Sequence, residues 1–326
     1  MISGDSRRKL AVHGPVVQLD CTVPALDESI DALLSKFAVP SWPDHFLPTA
    51  GIIHSYDESE VVNRLPETAR HLTRTTDMMD LYEDGERYWV VDDRWGMAEM
   101  DFAQSQWRSW IVPEPKVDIF RVAELAVIWP MAQLLRPRGV SLLPAISAVR
   151  DGFAVLIICP FGVEPELTAL ISNGYKIIGQ RWTAVREEDG RLALLHIPGR
   201  VERATTPRLR FGSQDQEGWL DLSRQHPASW QNHAFCDAVL VVEPGRRAKA
   251  HLRPTDSADA LELLTREWPI AELDRARRGS HVLGNLAESC PCFEVQLSRN
   301  TKDLLSLLNA VRYAEPAGTG HSAMAA

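Results

Sequence analysis

Apolar positions in residues 27–37 recur at helical spacing, with Ile30, Leu33, Leu34 and Phe37 on one side, and predict an amphipathic helix. Residues 88–91 (Y-W-V-V) and 97–102 predict the two strands of a hairpin, joined through Asp92-Asp93-Arg94-Trp95-Gly96. Such a connection requires Asp and Gly, so Asp92 and Asp93 are read as turn residues rather than as a metal-binding carboxylate pair. Pro113 and Pro115 then interrupt the pattern and disfavour helix in the residues before them, which places a domain boundary there.

Beyond that boundary, residues 117–135 form a long apolar stretch that predicts a helix. Strands are predicted at 140–143, 145–149 and 153–158, with a turn at Arg150-Asp151-Gly152, and again at 176–178, 183–185 and 192–196, the last pair joined at Glu188-Asp189-Gly190. Residues 238–243 and 293–297 read as buried strands, 256–268 as a capped helix and 304–311 as a closing helix. Helices and strands mix without a strict βαβ repeat, which predicts an α/β chain of mixed α+β character. The expected organisation is a flexible arm at 1–13, an N-terminal α+β domain at 14–115, a larger domain at 116–313 and a disordered tail at 314–326.

Composition narrows the function classes. The 326 residues, 45% hydrophobic and 24% charged, match a globular protein with room for two domains. A net charge of −9 argues against general nucleic-acid binding. No apolar run is long enough to span a bilayer. The first ten residues are polar and basic with no apolar stretch after them, so no secretory signal is read and a cytoplasmic chain is expected. Five cysteines form no disulfide or zinc framework. The close pair Cys290-Pro291-Cys292 is read as entry into a buried strand, because two thiolates alone leave a metal's coordination sphere unfilled.

Residues 155–174, V-L-I-I-C-P-F-G-V-E-P-E-L-T-A-L-I-S-N-G, have the layout of a phosphate-binding strand, loop and helix. A working loop reads G-x-x-x-x-G-K-[ST], with glycines admitting backbone N–H groups to the phosphates, lysine reaching the terminal ones and a hydroxyl holding magnesium. Only Gly162 remains of that pattern, among Cys159, Glu164, Pro165 and Glu166, and the loop carries no positive charge. Two carboxylates and a proline at a helix start oppose an incoming anion. On this segment alone, a strand, turn and capped helix with no phosphate history is the favoured reading, and the flanking elements have to decide.

The elements from 117 to 311 resemble the HPr serine kinase/phosphorylase catalytic domain, and especially the short HPr kinase-like proteins of bacterial gene clusters. The residues that carry the resemblance are Ser147-Ala148-Val149-Arg150-Asp151-Gly152 before the loop strand, Leu170 to Ile178 after it, Ala238 to Gly245 followed by Leu252-Arg253-Pro254, and Cys290 to Val295. The resemblance implies an HPr kinase C-terminal-like P-loop core with a smaller N-terminal domain. It also implies three coordinated losses. Pro144 stands where the family has histidine, Val163, Glu164 and Pro165 where it has the phosphate lysine and magnesium hydroxyl, and Gln180 and Arg181 where it has paired acids. Phosphoryl transfer needs charge neutralisation, a metal bridge and an oriented nucleophile. The expectation is therefore a pseudokinase without metal or cofactor, serving as a binding or assembly module for a protein or peptide encoded nearby. Alternatives are a kinase with a site rebuilt around Arg181 or the Arg200 to Arg210 segment, and a small-ligand sensor. The family's tendency to oligomerise adds a homo-oligomer to the expectations.

Candidate partner contacts are Trp107 and Trp110, large aromatics outside a clear core pattern, and the arginines Arg200, Arg203, Arg208 and Arg210, suited to carboxylate or phosphate groups. His226, His233 and Asp237 with Ser223 or Ser229 are not read as a hydrolase triad, since no nucleophile elbow accompanies them.

Overall fold

The computed structural model describes residues 7–42, 46–55, 65–74, 79–158, 164–197, 201–202, 219–220, 222–243, 250–266, 281–297 and 302–313. The chain divides into two units, Met1–Leu142 and Leu143–Ala326.

The first unit is built on an eight-stranded sheet in the order β1-β2-β3-β8-β7-β6-β5-β4. Its strands are β1 (Arg7–Ala11), β2 (Val16–Cys21), β3 (Thr49–Ser55), β4 (Arg70–Arg74), β5 (Asp80–Asp84), β6 (Arg87–Asp92), β7 (Gly96–Asp101) and β8 (Gln106–Ile111). β2, β3 and β8 run parallel, and the crossover from β2 to β3 contains the helix Pro24–Leu34, which buries Leu26, Ile30, Leu33 and Leu34. The strands from β4 to β8 form an antiparallel meander.

The first residues differ from the expected flexible arm. Residues 7–11 form edge strand β1 on β2, with Leu10 buried and Arg8 bridging Asp27 and Asp31 of the following helix. One buried residue in five leaves little periodic signal to read. The hairpin at β6 and β7 forms as expected. Asp92 is buried at its turn and accepts from the backbone N–H of Arg94 at 2.9 Å and from its guanidinium at 2.5–3.1 Å.

The apolar stretch begins at Asp118, whose carboxylate caps Phe120 N–H at 2.8 Å. It runs as α-helix Ile119–Ala123, a π turn Glu124–Ile128 and α-helix Trp129–Leu135. Proline 130 explains what happens at Ala126. In an α-helix the Ala126 carbonyl would accept from the N–H of residue 130, and Pro130 has none. That carbonyl instead accepts Ser109 Oγ at 2.7 Å and Trp107 Nε1 at 3.2 Å, both from β8. These bonds fasten the stretch to the first sheet, so the unit boundary falls after Leu142 and not at Pro113–Pro115.

The second unit is a mixed α/β arrangement. Its main sheet has the order β12-β10-β11-β18-β20-β19, with β10 (Ala145–Arg150), β11 (Phe153–Ile158), β12 (Lys176–Gly179), β18 (Ala238–Val242), β19 (His251–Thr255) and β20 (Cys292–Gln296). β11, β18 and β20 are parallel; the remaining pairings are antiparallel. Strand β9 (Ser141–Leu143) spans the boundary of the units, and a second sheet of this unit contains β13 (Thr183–Glu188), β14 (Arg191–His196) and β17 (His233–Phe235) in the order β17-β14-β13. A short ribbon pairs β15 (Val201–Glu202) with β16 (Trp219–Leu220).

Both predicted hairpin turns are found. Asp151 and Gly152 have φ of 51° and 79°, and Asp189 and Gly190 of 51° and 73°. Two consecutive positive φ values are what a tight hairpin turn with the right-handed strand twist demands. Among the described residues, the α-helices of this unit are Glu164–Ser172, Leu222–Gln225, Ser257–Arg266, His281–Ser289 and Lys302–Tyr313. Leu167, Leu170, Leu304 and Leu308 pack with Ile146, Val155, Leu240 and Val295 in one core over the main sheet.

Candidate functional site

Strand register brings the three sequence positions of interest to one end of the main sheet. Antiparallel pairing of β10 and β11 sets Ala145 opposite Ile158, so Pro144 adjoins the end at which β11 finishes. Pairing of β10 with β12 sets Ser147 opposite Gly179, so Gln180 and Arg181 leave the sheet at the same end. Cys159 and Gly162 lie outside the described residues. The helix resumes at Glu164.

That helix is well formed. Its C-terminus closes with Tyr175 N–H on Leu170 O at 3.1 Å and Gly174 N–H on Ile171 O at 3.1 Å, with Gly174 at φ 81°. This pair of bonds and the left-handed glycine are a Schellman closure. Its N-terminus carries Glu164 and Glu166 in the first turn, with Pro165 between them. Glu164 and Pro165 are half-buried and Glu166 is buried, 3% exposed. Pro165 supplies no N–H, and each carboxylate places negative charge where the helix dipole would otherwise attract it.

On the β12 side the chain turns tightly into β13. A Cβ on Gly179 would lie 2.2 Å from Thr183 Oγ1 and 2.6 Å from Trp182 O, so only glycine fits. Thr183 Oγ1 donates to Ala145 O at 3.0 Å and lies 2.9 Å from Ser147 Oγ, tying this turn to the start of β10. Gln180 is buried and Arg181 half-buried. Near them His196 is buried, its Nδ1 donating to Ile178 O and its ring edge-on to Trp230 at 5.4 Å. Among the described residues no group of three or more His, Cys, Asp and Glu side chains is arranged to hold a metal ion. No described helix is long and apolar enough to cross a membrane.

The expected partner contacts are not supported at the tryptophans. Trp107 and Trp110 are 1% and 3% exposed. Trp107 bonds to Ala126 O and fills the space beside Gly51, where a Cβ would lie 2.1 Å from its ring, while Trp110 packs with Trp89 and Met97. Trp107, Ser109 and Ile111 are buried on one face of β8 and Trp110 on the other, beside exposed Arg108, so both aromatics are core residues. Arg200, Arg203, Arg208 and Arg210 lie outside the described residues.

Two of the residues set aside as a triad have other partners. His233 Nε2 meets Glu188 Oε2 at 3.1 Å, and Asp237 Oδ2 accepts from Ala154 N–H at 2.8 Å. A hydrogen bond from Arg186 holds the Glu188 carboxyl below the usual carboxylate range, with His233 adding to it. One cluster went unread in the sequence: Cys236 lies against Cys290, with Cys292 beside them, and all three are buried. The separation between Cys236 and Cys290 hides such a pair from any local pattern.

No protein-family model matches this chain, and no curated protein matches it in sequence. Among solved structures, it is similar to the HPr(Ser) kinase/phosphatase from Coxiella burnetii, at 14% identity and a TM-score of 0.33, over 53% of this chain and 90% of that one. A likeness that distant carries no conclusion about activity.

Proposed function

We propose that this chain is a non-catalytic protein of HPr kinase-like layout that acts as a binding or assembly module for a protein or peptide. The reading rests on the sequence resemblance and on one observation. Pro144, the helix start at Glu164–Glu166 and the Gln180–Arg181 turn meet at one end of the main sheet. The three substitutions therefore fall on one place and remove separate parts of the same chemistry.

A triphosphate placed there meets two carboxylates at a helix start, which at low dielectric repel it strongly. Magnesium finds no hydroxyl and no paired acids in the matching positions. A surface that no longer needs to admit a nucleotide is free to serve recognition.

Calorimetric titration of the full chain with Mg-ATP and with ADP tests the reading. No heat and no thermal shift are expected at millimolar nucleotide. Micromolar binding of either nucleotide overturns the proposal and favours a rebuilt phosphoryl-transfer site.

A further inference from the structure

The end of the main sheet opposite the candidate site holds three cysteines. β18 and β20 run parallel with Val239 opposite Cys292, and Val239 N–H bonds Pro291 O at 3.0 Å. Cys236 lies two residues before β18, and Cys290 follows the helix His281–Ser289 and lies two residues before β20, so the two lead into adjacent strands. Cys290 Sγ donates to Cys236 O at 3.6 Å, and Cys236 Sγ donates to Ala238 O at 3.4 Å. Cys292 Sγ turns to the carbonyls of Cys290 and Leu286, at 3.3 and 3.8 Å.

The surrounding backbone fixes this arrangement. Cys236 N–H bonds Leu192 O at 2.7 Å, Asp237 N–H bonds Ala154 O at 2.9 Å, and Cys290 N–H bonds Leu286 O at 3.1 Å. Neither thiol contributes to any role described above. Both are nonetheless held together by strands that pair in fixed register.

We infer that Cys236 and Cys290 form a dithiol site that a hydroperoxide oxidises to a reversible disulfide. In the first step the Cys290 sulfur attacks a peroxide oxygen. An S–O bond forms, the O–O bond breaks, and hydroxide (or alkoxide) leaves and takes the thiol proton. In the second step Cys236 sulfur attacks Cys290 sulfur, the S–S bond forms, the S–O bond breaks, and water leaves with the Cys236 proton. Two thiols and one hydroperoxide thus give one disulfide, one water and one further water or alcohol.

The electrostatics assign the roles. The neighbouring Cys236 side chain lowers the Cys290 thiol below its usual value against the opposing effect of burial, and nearby Arg191 acts in the same direction. The neighbouring Cys290 side chain, with burial, raises Cys236, so it reacts second. Burial pushes Cys292 up to about 12, which leaves it a thiol and a bystander. Nucleophilicity follows thiolate fraction.

The test is oxidation of the full chain with hydrogen peroxide, quenching with N-ethylmaleimide, and mass mapping of peptides without reduction. The expected product links the Cys236 and Cys290 peptides, leaves Cys292 alkylated and reverts with dithiothreitol. Cys290→Ser abolishes it, Cys292→Ser retains it, and Cys236→Ser leaves a sulfenic acid at Cys290 that dimedone traps. The wild-type map alone decides if a variant fails to fold. A link between Cys290 and Cys292, overoxidation of Cys290 with Cys236 still free, or thiols that react only after unfolding each overturn the inference.

Discussion

Trp107 and Ser109 both donate to the Ala126 carbonyl, and that shared acceptor makes their effects on stability interdependent. Ser109→Ala removes one donor and leaves the other, at a cost of about 1 kcal/mol for a single hydrogen bond. Trp107→Phe removes the other and shrinks a fully buried ring, at about 2–3 kcal/mol. Either single variant keeps the buried carbonyl satisfied. The double variant strips it of both donors, and an unsatisfied buried acceptor costs about 1–3 kcal/mol in addition. The expected double-mutant cycle therefore shows a coupling of about 1–2 kcal/mol, the double variant being worse than the sum. Urea unfolding followed by far-UV circular dichroism measures it on the transition of the first unit. Pro130→Ala supplies the missing helical N–H and should recover part of the loss in the double variant only. Additivity to within about 0.5 kcal/mol, with no recovery by Pro130→Ala, would refute the account of the π turn.

Asp92→Ala removes the acceptor of one backbone and several guanidinium hydrogen bonds, and because Arg94 stays 37% exposed the loss is set below that of a fully buried pair, at about 2–3 kcal/mol. Exposed Asp93→Ala should stay within about 0.5 kcal/mol, and added calcium or magnesium should protect neither; equal losses in thermal melts, or protection by a cation, would contradict the turn reading. Because the Glu188 carboxyl is held below its ordinary range, its stabilisation is present above about pH 4.3 and fades as pH falls through the lowered folded value. Melting curves of wild type and Glu188→Gln should differ at neutral pH and converge in acid; a gap that widens on acidification would reverse the sign. Oxidation of Cys236 and Cys290 closes a long loop, which by chain entropy is worth about 4 kcal/mol, so the oxidised chain should melt higher than the reduced one in calorimetry.

What the sequence made legible was local. The Asp151-Gly152 and Asp189-Gly190 turns were readable because their backbone angles are set by the residues themselves. The helix ending at Asn173-Gly174 was readable for the same reason. The apolar stretch at 117–135 was recognised, but its partner was not, since Ser109 and Trp107 lie across an unreadable distance in space. Trp107 and Trp110 looked misplaced because consecutive Ser109, Trp110 and Ile111 are all buried while Arg108 is exposed, which breaks the alternation that marks a half-buried strand. Convergence of Pro144 with Gln180–Arg181 depends on register between strands, a quantity no window of the chain contains. The pairing of Cys236 with Cys290 depends on it equally.

The strand order of the main sheet also dictates a sequence of events during folding. β10 meets β11 across a two-residue turn, as β13 meets β14, and such hairpins close in about 1–10 μs. β11 has to wait for Ala238–Val242, and that strand for Cys292–Gln296, before either parallel pairing exists. Long-range pairings bear their loop-closure cost first and form late. Until they do, one edge of V-L-I-I stands open, apolar and without a partner strand. The strand that ends at the centre of the finished sheet is thus, in the half-folded chain, the edge most exposed to aggregation with another copy.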